Sequence, residues 1–181
     1  MRFNNDIGDH REKMDQRTLI TYATRTQSTA EIAAIIWQTL STVDETVDIL
    51  PVKKVTDLEN YRAIILGSAV KYGKWLPEAL HFVEKNRTAI KKVPLAIFSV
   101  HLMNLGDDET SRQRRETYLS SINNLVNPEK KVFFAGIGNW EKVPFMEGII
   151  GKMIKAPEGD FRDWPAIRNW AEELRDDKIF R

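Results

Sequence analysis

Residues 18–36 read TLITYATRTQSTAEIAAII, and this stretch is the most informative part of the sequence about the fold. It opens with an apolar, β-rich run over Thr18–Ala23 and continues through a polar loop. Apolar residues then recur at helical spacing from Ile32 onward, and Ser28 or Thr29 can provide the N-cap of that helix. The stretch therefore predicts a strand, a loop and a helix in direct succession.

The same alternation of strand and helix patterns continues along the chain. Four further apolar runs are rich in Ile, Leu, Val and Phe, as expected of strands that are buried on both faces. They lie at Thr46–Val52, Ala63–Ser68, Pro94–Val100 and Lys131–Ile137. This alternation predicts an α/β fold, in which helices cover both faces of a parallel sheet. Five strands favour a three-layer sandwich with the order 2-1-3-4-5 and a ligand site at the carboxyl ends of the strands.

Proline and aspartate mark the later helices. Pro77 stands where the first turn of a helix tolerates proline. Asp107 or Asp108 can open a helix that runs to about Val126, and Asp163 can cap the last helix. These helices fill the intervals between the predicted strands.

Composition and charge narrow the class of protein. The 181 residues fit one domain, and we expect it over residues 18–181, after a polar N-terminal extension over residues 1–17. The chain has 27 basic and 26 acidic residues, a net charge of +1, which argues against a protein that mainly binds nucleic acid. The absence of Cys excludes thiolate catalysis and iron–sulfur clusters, and with only three His we expect no metal site.

The apolar runs bear on location. The longest, Ala63–Val70, is too short for a membrane span, which needs about 20 residues, and the start of the chain lacks a signal-peptide pattern. We therefore expect a cytoplasmic protein. Residues 142–160 are the candidate for peripheral membrane contact, as a lid or interfacial helix that meets a lipid-soluble partner. A helix that packs on the sheet would need the same apolar face. That face consists of Phe145, Met146, Ile149, Ile150, Met153 and Ile154.

The loop after the first strand is dense in hydroxyl groups. Four hydroxyls and the guanidinium of Arg25 fall within six positions, where the backbone N–H groups of a helix start also point outward. Such donors suit a phosphate group, whereas a simple cap needs one hydroxyl. The loop has neither the Gly-x-x-x-x-Gly-Lys of a Walker loop nor a Gly-x-Gly-x-x-Gly pattern.

Two later strand ends carry residues that suit a flat ring. Tyr72 and Trp75 flank Gly73 after the third strand, where they can stack on a ring or pack beneath the loop. His101 follows the fourth strand. It can hydrogen-bond a ring or substrate, titrate near physiological pH, or be a polar residue whose hydrogen bonds are satisfied within the protein.

These residues carry a resemblance to a known family. The loop over Tyr22–Thr29 resembles the FMN phosphate loop of flavodoxins, except that Gln27 stands where flavodoxins usually have Gly. A side chain is tolerable there if the backbone does not require a positive φ. The resemblance implies a flavodoxin-like FMN-binding domain, with phosphate contacts in the first loop and ring contacts in the other two. The implied cofactor residues are Thr24, Arg25, Thr26, Gln27, Ser28, Thr29, Ser68, Ala69, Val70, Lys71, Tyr72, Gly73, Lys74, Ser99, Val100, His101 and Leu102.

Within this fold the chain is most similar to menaquinone-dependent protoporphyrinogen dehydrogenases of the short, flavodoxin-like type. The stretches that carry this similarity are Tyr22–Thr29, Gly67–Gly73, Phe98–Leu102, Ala135-Gly136 and Asp163-Trp164. The similarity implies an FMN-dependent oxidoreductase, with a porphyrinogen as the candidate substrate and a quinone or a protein as the electron acceptor. Arg25, Lys71 and Lys74 would attract a carboxylated substrate.

Two other functions share this architecture, and a third alternative is a structural protein of this fold that has lost its cofactor. A flavodoxin-type electron carrier has no substrate of its own; such carriers are usually strongly acidic, as the resemblance implies, and the charge of +1 counts against one. A receiver-type signalling module needs acidic residues at the ends of the first and third strands. Those ends read Thr21-Tyr22-Ala23 and Leu66-Gly67-Ser68, which excludes it. No pair of carboxylates stands out as general acid and base, so we assign no catalytic residue.

Overall fold

A parallel sheet forms the centre of the molecule. The structure is a computed structural model that describes residues 17–41, 46–139 and 157–180. Its five parallel strands are β1 Arg17–Ala23, β2 Val47–Pro51, β3 Tyr61–Lys71, β5 Leu95–His101 and β6 Lys130–Ala135. They lie in the order β2-β1-β3-β5-β6, and every neighbouring pair runs parallel. Counted among themselves, these strands have the order 2-1-3-4-5, so the predicted topology is confirmed.

Helices cover both faces of this sheet and create two separate cores. The helices are α1 Ser28–Leu40, α2 Pro77–Ile90, α3 Glu109–Thr117, α4 Ser120–Asn123 and α5 Trp164–Asp176. One core packs α1 and α5 against residues such as Ile20 and Phe98. The other packs α2 and α4 against residues such as Leu19 and Ile97. Alternate residues of the same strands thus serve opposite faces, which produces the predicted three layers.

A short hairpin extends the third strand beyond its predicted end at Ser68. β3 continues to Lys71, and β4 Lys74–Trp75 turns back to pair with it in antiparallel fashion. Tyr72 and Gly73 form the turn with φ values of 52° and 74°. Two successive positive φ values are what a tight type I′ hairpin turn requires.

The predicted helix from Asp107 or Asp108 to Val126 is wrong as a single element, because it divides into α3 and α4. At the junction the backbone N–H groups of Tyr118 and Leu119 bond three residues back rather than four. Both side chains are buried, whereas no residue of α3 is. Burying this pair therefore tightens and redirects the chain.

Two helices begin at aspartates that the sequence predicted as their starts. Asp108 accepts a hydrogen bond from the N–H of Ser111 at 3.0 Å, and Asp163 accepts one from the N–H of Ala166 at 2.9 Å. Both are side-chain N-caps of the predicted kind.

Two predicted segments fall wholly or largely outside the described residues. They are the N-terminal extension, apart from Arg17, which begins β1, and the apolar face between Phe145 and Ile154. After β6 the described chain continues through β7 Ile137–Gly138, which pairs in antiparallel fashion with β8 Gly159–Asp160. This two-residue ladder joins the two ends of residues 139–158.

Candidate functional site

The three predicted segments meet at one edge of the sheet. In the strand register Ala23 lies opposite Ser68, and Ser68 lies opposite Ser99. The ends of β1, β3 and β5 are therefore side by side, and the loops that follow them line the carboxyl edge. This is where parallel α/β sheets bind ligands.

The first loop ends at Gln27, which is the N-cap of α1 and has a φ of 68°. The expectation that Ser28 or Thr29 caps the helix is wrong, because both residues lie inside it and Gln27 makes no side-chain cap bond. We expected a side chain to be tolerable at position 27 only if φ there is not positive. The backbone of Gln27 is instead left-handed. A left-handed conformation costs a non-glycine residue about 1–2 kcal/mol.

The start of α1 offers unused hydrogen-bonding groups. The hydroxyls of Ser28 and Thr29 are buried and have no partner among the described residues. The first backbone bond of this helix start runs from the N–H of Glu31 to the carbonyl of Gln27 at 2.9 Å. Buried hydroxyls are normally paired, so these two, beside the free N–H groups of a helix start, have the chemistry of an anion site.

Arg25 lies in the same loop but is engaged elsewhere. Its guanidinium forms a two-pronged ion pair with Glu78 in the first turn of α2, with Nη2 2.8 Å from Oε2. The hydrogen bonds from Arg25 hold the pKa of Glu78 below its usual value. A phosphate contact of Arg25 stays a prediction. Thr24 is half-buried, and Thr26 is exposed in the same loop.

The hairpin after β3 presents one of its two aromatic residues to solvent. Tyr72 is 64% exposed at the turn, with the ammonium of Lys71 5.4 Å from its ring centroid. Trp75 is 2% exposed, and its indole N–H donates to the hydroxyl of Ser99 at 2.8 Å. The structure thus leaves Tyr72 free to stack, whereas Trp75 packs beneath the loop.

Ser68 and Ser99 are buried and paired within the protein. The hydroxyl of Ser68 donates to the carbonyl of Ala69 at 2.9 Å and accepts from the N–H of Leu76 at 3.1 Å. The side chains of both serines therefore brace the hairpin. Ala69 and Val70 are half-buried in β3, while Gly73 and Lys74 are exposed.

His101 closes β5 as a buried, neutral residue. It is 5% exposed, and its Nδ1 lies 2.8 Å from the carbonyl oxygen of Met103, to which it donates. Burial lowers the pKa of His101 to about 4, so the expectation that it titrates near physiological pH is wrong. Of its two predicted neighbours in the site, Val100 is buried and Leu102 is half-buried.

A second ion-pair cluster lies beside the start of α1. The buried side chain of Arg162 forms ion pairs with Glu31 and with Asp160, the latter at 2.6 Å. Its guanidinium carbon lies 4.2 Å from the centroid of the Trp164 ring. Sequence reasoning missed this cluster, and also the partner of Arg25, because the residues involved are 131 and 53 positions apart.

The described residues contain no cluster of three or more His, Cys, Asp or Glu side chains that could hold a metal ion. Among the same residues, no helix is both long enough and apolar enough to cross a membrane.

The fold and the three loops define the class of this protein. Residues 19–164 match the flavodoxin domain family, so the chain belongs to that family. Among solved structures it is similar to a flavodoxin from Fusobacterium nucleatum bound to flavin mononucleotide, with a TM-score of 0.54, 15% identity, and coverage of 88% of this chain and 97% of that one. A flavodoxin from the Archaea has a TM-score of 0.52 and 14% identity, covering 89% of this chain and 97% of that one.

Proteins that are similar to this chain in sequence carry more specific names than the domain family does. The protoporphyrinogen IX dehydrogenase (quinone) of Escherichia coli strain K12 is 24% identical over 170 residues, which cover 87% of this chain and 94% of that protein. The enzyme of the same name from Leishmania major is 23% identical over 173 residues, which cover 87% of this chain and 74% of that protein. The resemblance drawn from the sequence is thereby confirmed.

Proposed function

We propose that residues 18–181 form an FMN-dependent oxidoreductase that takes electrons from a porphyrinogen and passes them to a quinone. FMN is the cofactor that membership of the flavodoxin domain family implies for this chain. The observation that carries the proposal is the meeting of three loops at one sheet edge, one of them followed by two buried hydroxyls that find no partner in the part of the chain that the structure describes.

The residues present fit FMN at this edge. Ser28, Thr29 and the N–H groups at the start of α1 would hold the phosphate, where the helix dipole also favours negative charge. Thr24 and Thr26 would add hydroxyls from the same loop. Tyr72 would cover one face of the ring, since its own ring is exposed at the hairpin turn. When bound, FMN supplies the electron-transfer chemistry.

The charge at the site favours an anionic substrate. Lys71 and Lys74 flank Tyr72 on the hairpin. Their positive potential would draw the carboxylates of a porphyrinogen toward the ring edge. His101 cannot serve as a proton donor at neutral pH, because its pKa is about 4 and its Nδ1–H is already donated to Met103.

A flavodoxin-type electron carrier is the second candidate. The absence of an assigned acid or base favours it, as a carrier needs neither. The net charge of +1 counts against it, because such carriers are usually strongly acidic and are steered to basic partners.

The test begins with the absorbance spectrum of the purified protein and mass analysis of any released chromophore. We expect FMN. Anaerobic mixing with protoporphyrinogen IX should then reduce the bound FMN, and a menaquinone analogue should reoxidise it. Failure to turn over with either reactant, together with rapid electron exchange with a ferredoxin-type protein, would favour the carrier. A protein that binds no flavin would contradict both functions.

A further inference from the structure

The loop between β5 and α3, residues 102–108, is held from behind by side chains. Arg115 in α3 donates from Nη1 to the carbonyl oxygens of Asn104 and Gly106, each at 2.6 Å. Tyr118 donates from its hydroxyl to the carbonyl of Met103 at 3.2 Å, and it accepts from the amide of Asn104 at 2.6 Å. With the hydrogen bond from His101 to Met103, three carbonyls of this loop are bound by side chains.

This arrangement leaves the loop with unused donors. Asn104 has a φ of 60°, and no backbone N–H between residues 103 and 107 donates to an acceptor within the described part of the chain. Side chains of α3 and Tyr118 bind the carbonyls of the loop. The backbone N–H groups are therefore the groups of the loop that remain available to a ligand. The loop follows β5, whose residue Val100 lies opposite Ala69 of β3. The donors therefore belong to the same edge as the hairpin that carries Tyr72.

We propose that Arg115 is a positioning residue for the flavin ring: its grip on two carbonyls holds the β5–α3 loop in the one conformation in which the N–H groups of the loop are available to ring acceptors. This inference rests on the proposed function. Arg115 would act through the loop and would not touch the cofactor. Two charge-assisted hydrogen bonds from a planar guanidinium fix the loop more firmly than a single flexible contact would.

A comparison of two flavins tests this role. Apoprotein is titrated with FMN and with riboflavin, which lacks the phosphate, for wild type, Arg115→Met and Arg114→Met. Arg114 is an exposed neighbour in α3 with the same charge, and its side chain forms no hydrogen bond or ion pair with any described residue. We expect Arg115→Met to weaken the binding of both flavins by the same factor, about tenfold, and Arg114→Met to change neither. Arg115→Lys should recover part of the affinity, because an ammonium can hold at least one carbonyl.

Two readouts separate positioning from general stability. The visible circular dichroism of the bound flavin should change in Arg115→Met, whereas a variant that is merely less stable would show a lower melting temperature with unchanged flavin binding. Wild-type affinity of Arg115→Met for both flavins would overturn the inference, and so would a loss restricted to FMN, which would place the arginine at the phosphate.

A second variant keeps the test decisive if Arg115→Met does not fold. Tyr118→Phe removes only the hydroxyl that holds Met103 and Asn104, and it should weaken the binding of both flavins by about threefold. Unchanged affinity in Tyr118→Phe would overturn the inference in that case. Wild-type protein that binds neither flavin would instead overturn the proposed function.

Discussion

Gln27 occupies a backbone conformation that its side chain disfavours. It has a φ of 68° at the N-cap of α1, and its side chain makes no cap bond that would offset the strain. We expect Gln27→Gly to raise the free energy of unfolding by about 0.5–1 kcal/mol, which is the relief of strain less the greater freedom of glycine in the unfolded chain. Urea denaturation measures this difference.

The control for this prediction is Gln27→Ala, which removes the amide but keeps the Cβ. It should bring no gain in stability. A Gln27→Gly variant less stable than wild type would show that the Gln27 side chain makes a favourable interaction that outweighs the strain.

The two aromatic residues of the hairpin should respond differently to substitution. Tyr72 is exposed and would quench the fluorescence of bound FMN by stacking, so Tyr72→Leu should raise that emission severalfold, to roughly the level of an unstacked ring. Trp75 is buried, so Trp75→Phe should leave the emission quenched.

Trp75→Phe should instead cost stability. It removes the N–H that donates to the buried hydroxyl of Ser99, a loss of about 1–2 kcal/mol in the free energy of unfolding. Emission that rises in Trp75→Phe and not in Tyr72→Leu would reverse the assignment of the stacking residue.

The ion pair between Arg25 and Glu78 connects the first loop to α2. Arg25 is bound to Glu78, and a phosphate in the loop would compete for the same guanidinium. If Arg25 contacts phosphate, Glu78→Gln should release it and strengthen the binding of FMN by roughly threefold, without affecting riboflavin. Isothermal titration with both flavins measures the two affinities.

Glu84→Gln is the matched control for this prediction, because it removes an exposed carboxylate from the same helix. It should change neither affinity. Equal affinities for FMN in wild type and Glu78→Gln would mean that Arg25 only ties the loop to α2.

Elements also show what sequence patterns can and cannot predict. The five parallel strands were predictable because each contains a run of apolar residues, and β1, β3 and β5 are buried over most of their length. β4 was not, since two residues carry no periodicity and the turn uses Tyr72 where Asn or Asp would signal it. The partners of Arg25 and Arg115 were not predictable either, because only the packed fold brings them together.

His101 makes the free energy of unfolding of the whole protein depend on pH. Its pKa is about 4 in the folded state, lowered by burial, against about 6.5 when unfolded. The unfolded chain therefore takes up the proton first. The contribution of neutral His101 is fully present above about pH 6.5 and is lost as the pH falls toward 4, by roughly 3 kcal/mol in total.

Unfolding free energies measured between pH 7.5 and 4.5 test this expectation. His101→Asn, which keeps a donor near the carbonyl of Met103, should lose less stability over this range than wild type. His81→Gln, which removes an exposed histidine, is the control variant. Parallel curves for wild type and His101→Asn would contradict the assignment.

The ladder between β7 and β8 has a consequence for how such chains can diverge. Gly138 and Gly159 lie side by side, and a Cβ on Gly138 would stand 2.0 Å from the carbonyl oxygen of Pro157. The described chain on either side of residues 139–158 is thus paired over only two residues. An insertion between β7 and β8 can change in length at an entropic cost of loop closure of only about 0.6 kcal/mol per doubling. Changes in length between β7 and β8 can therefore accumulate while the five parallel strands keep their register.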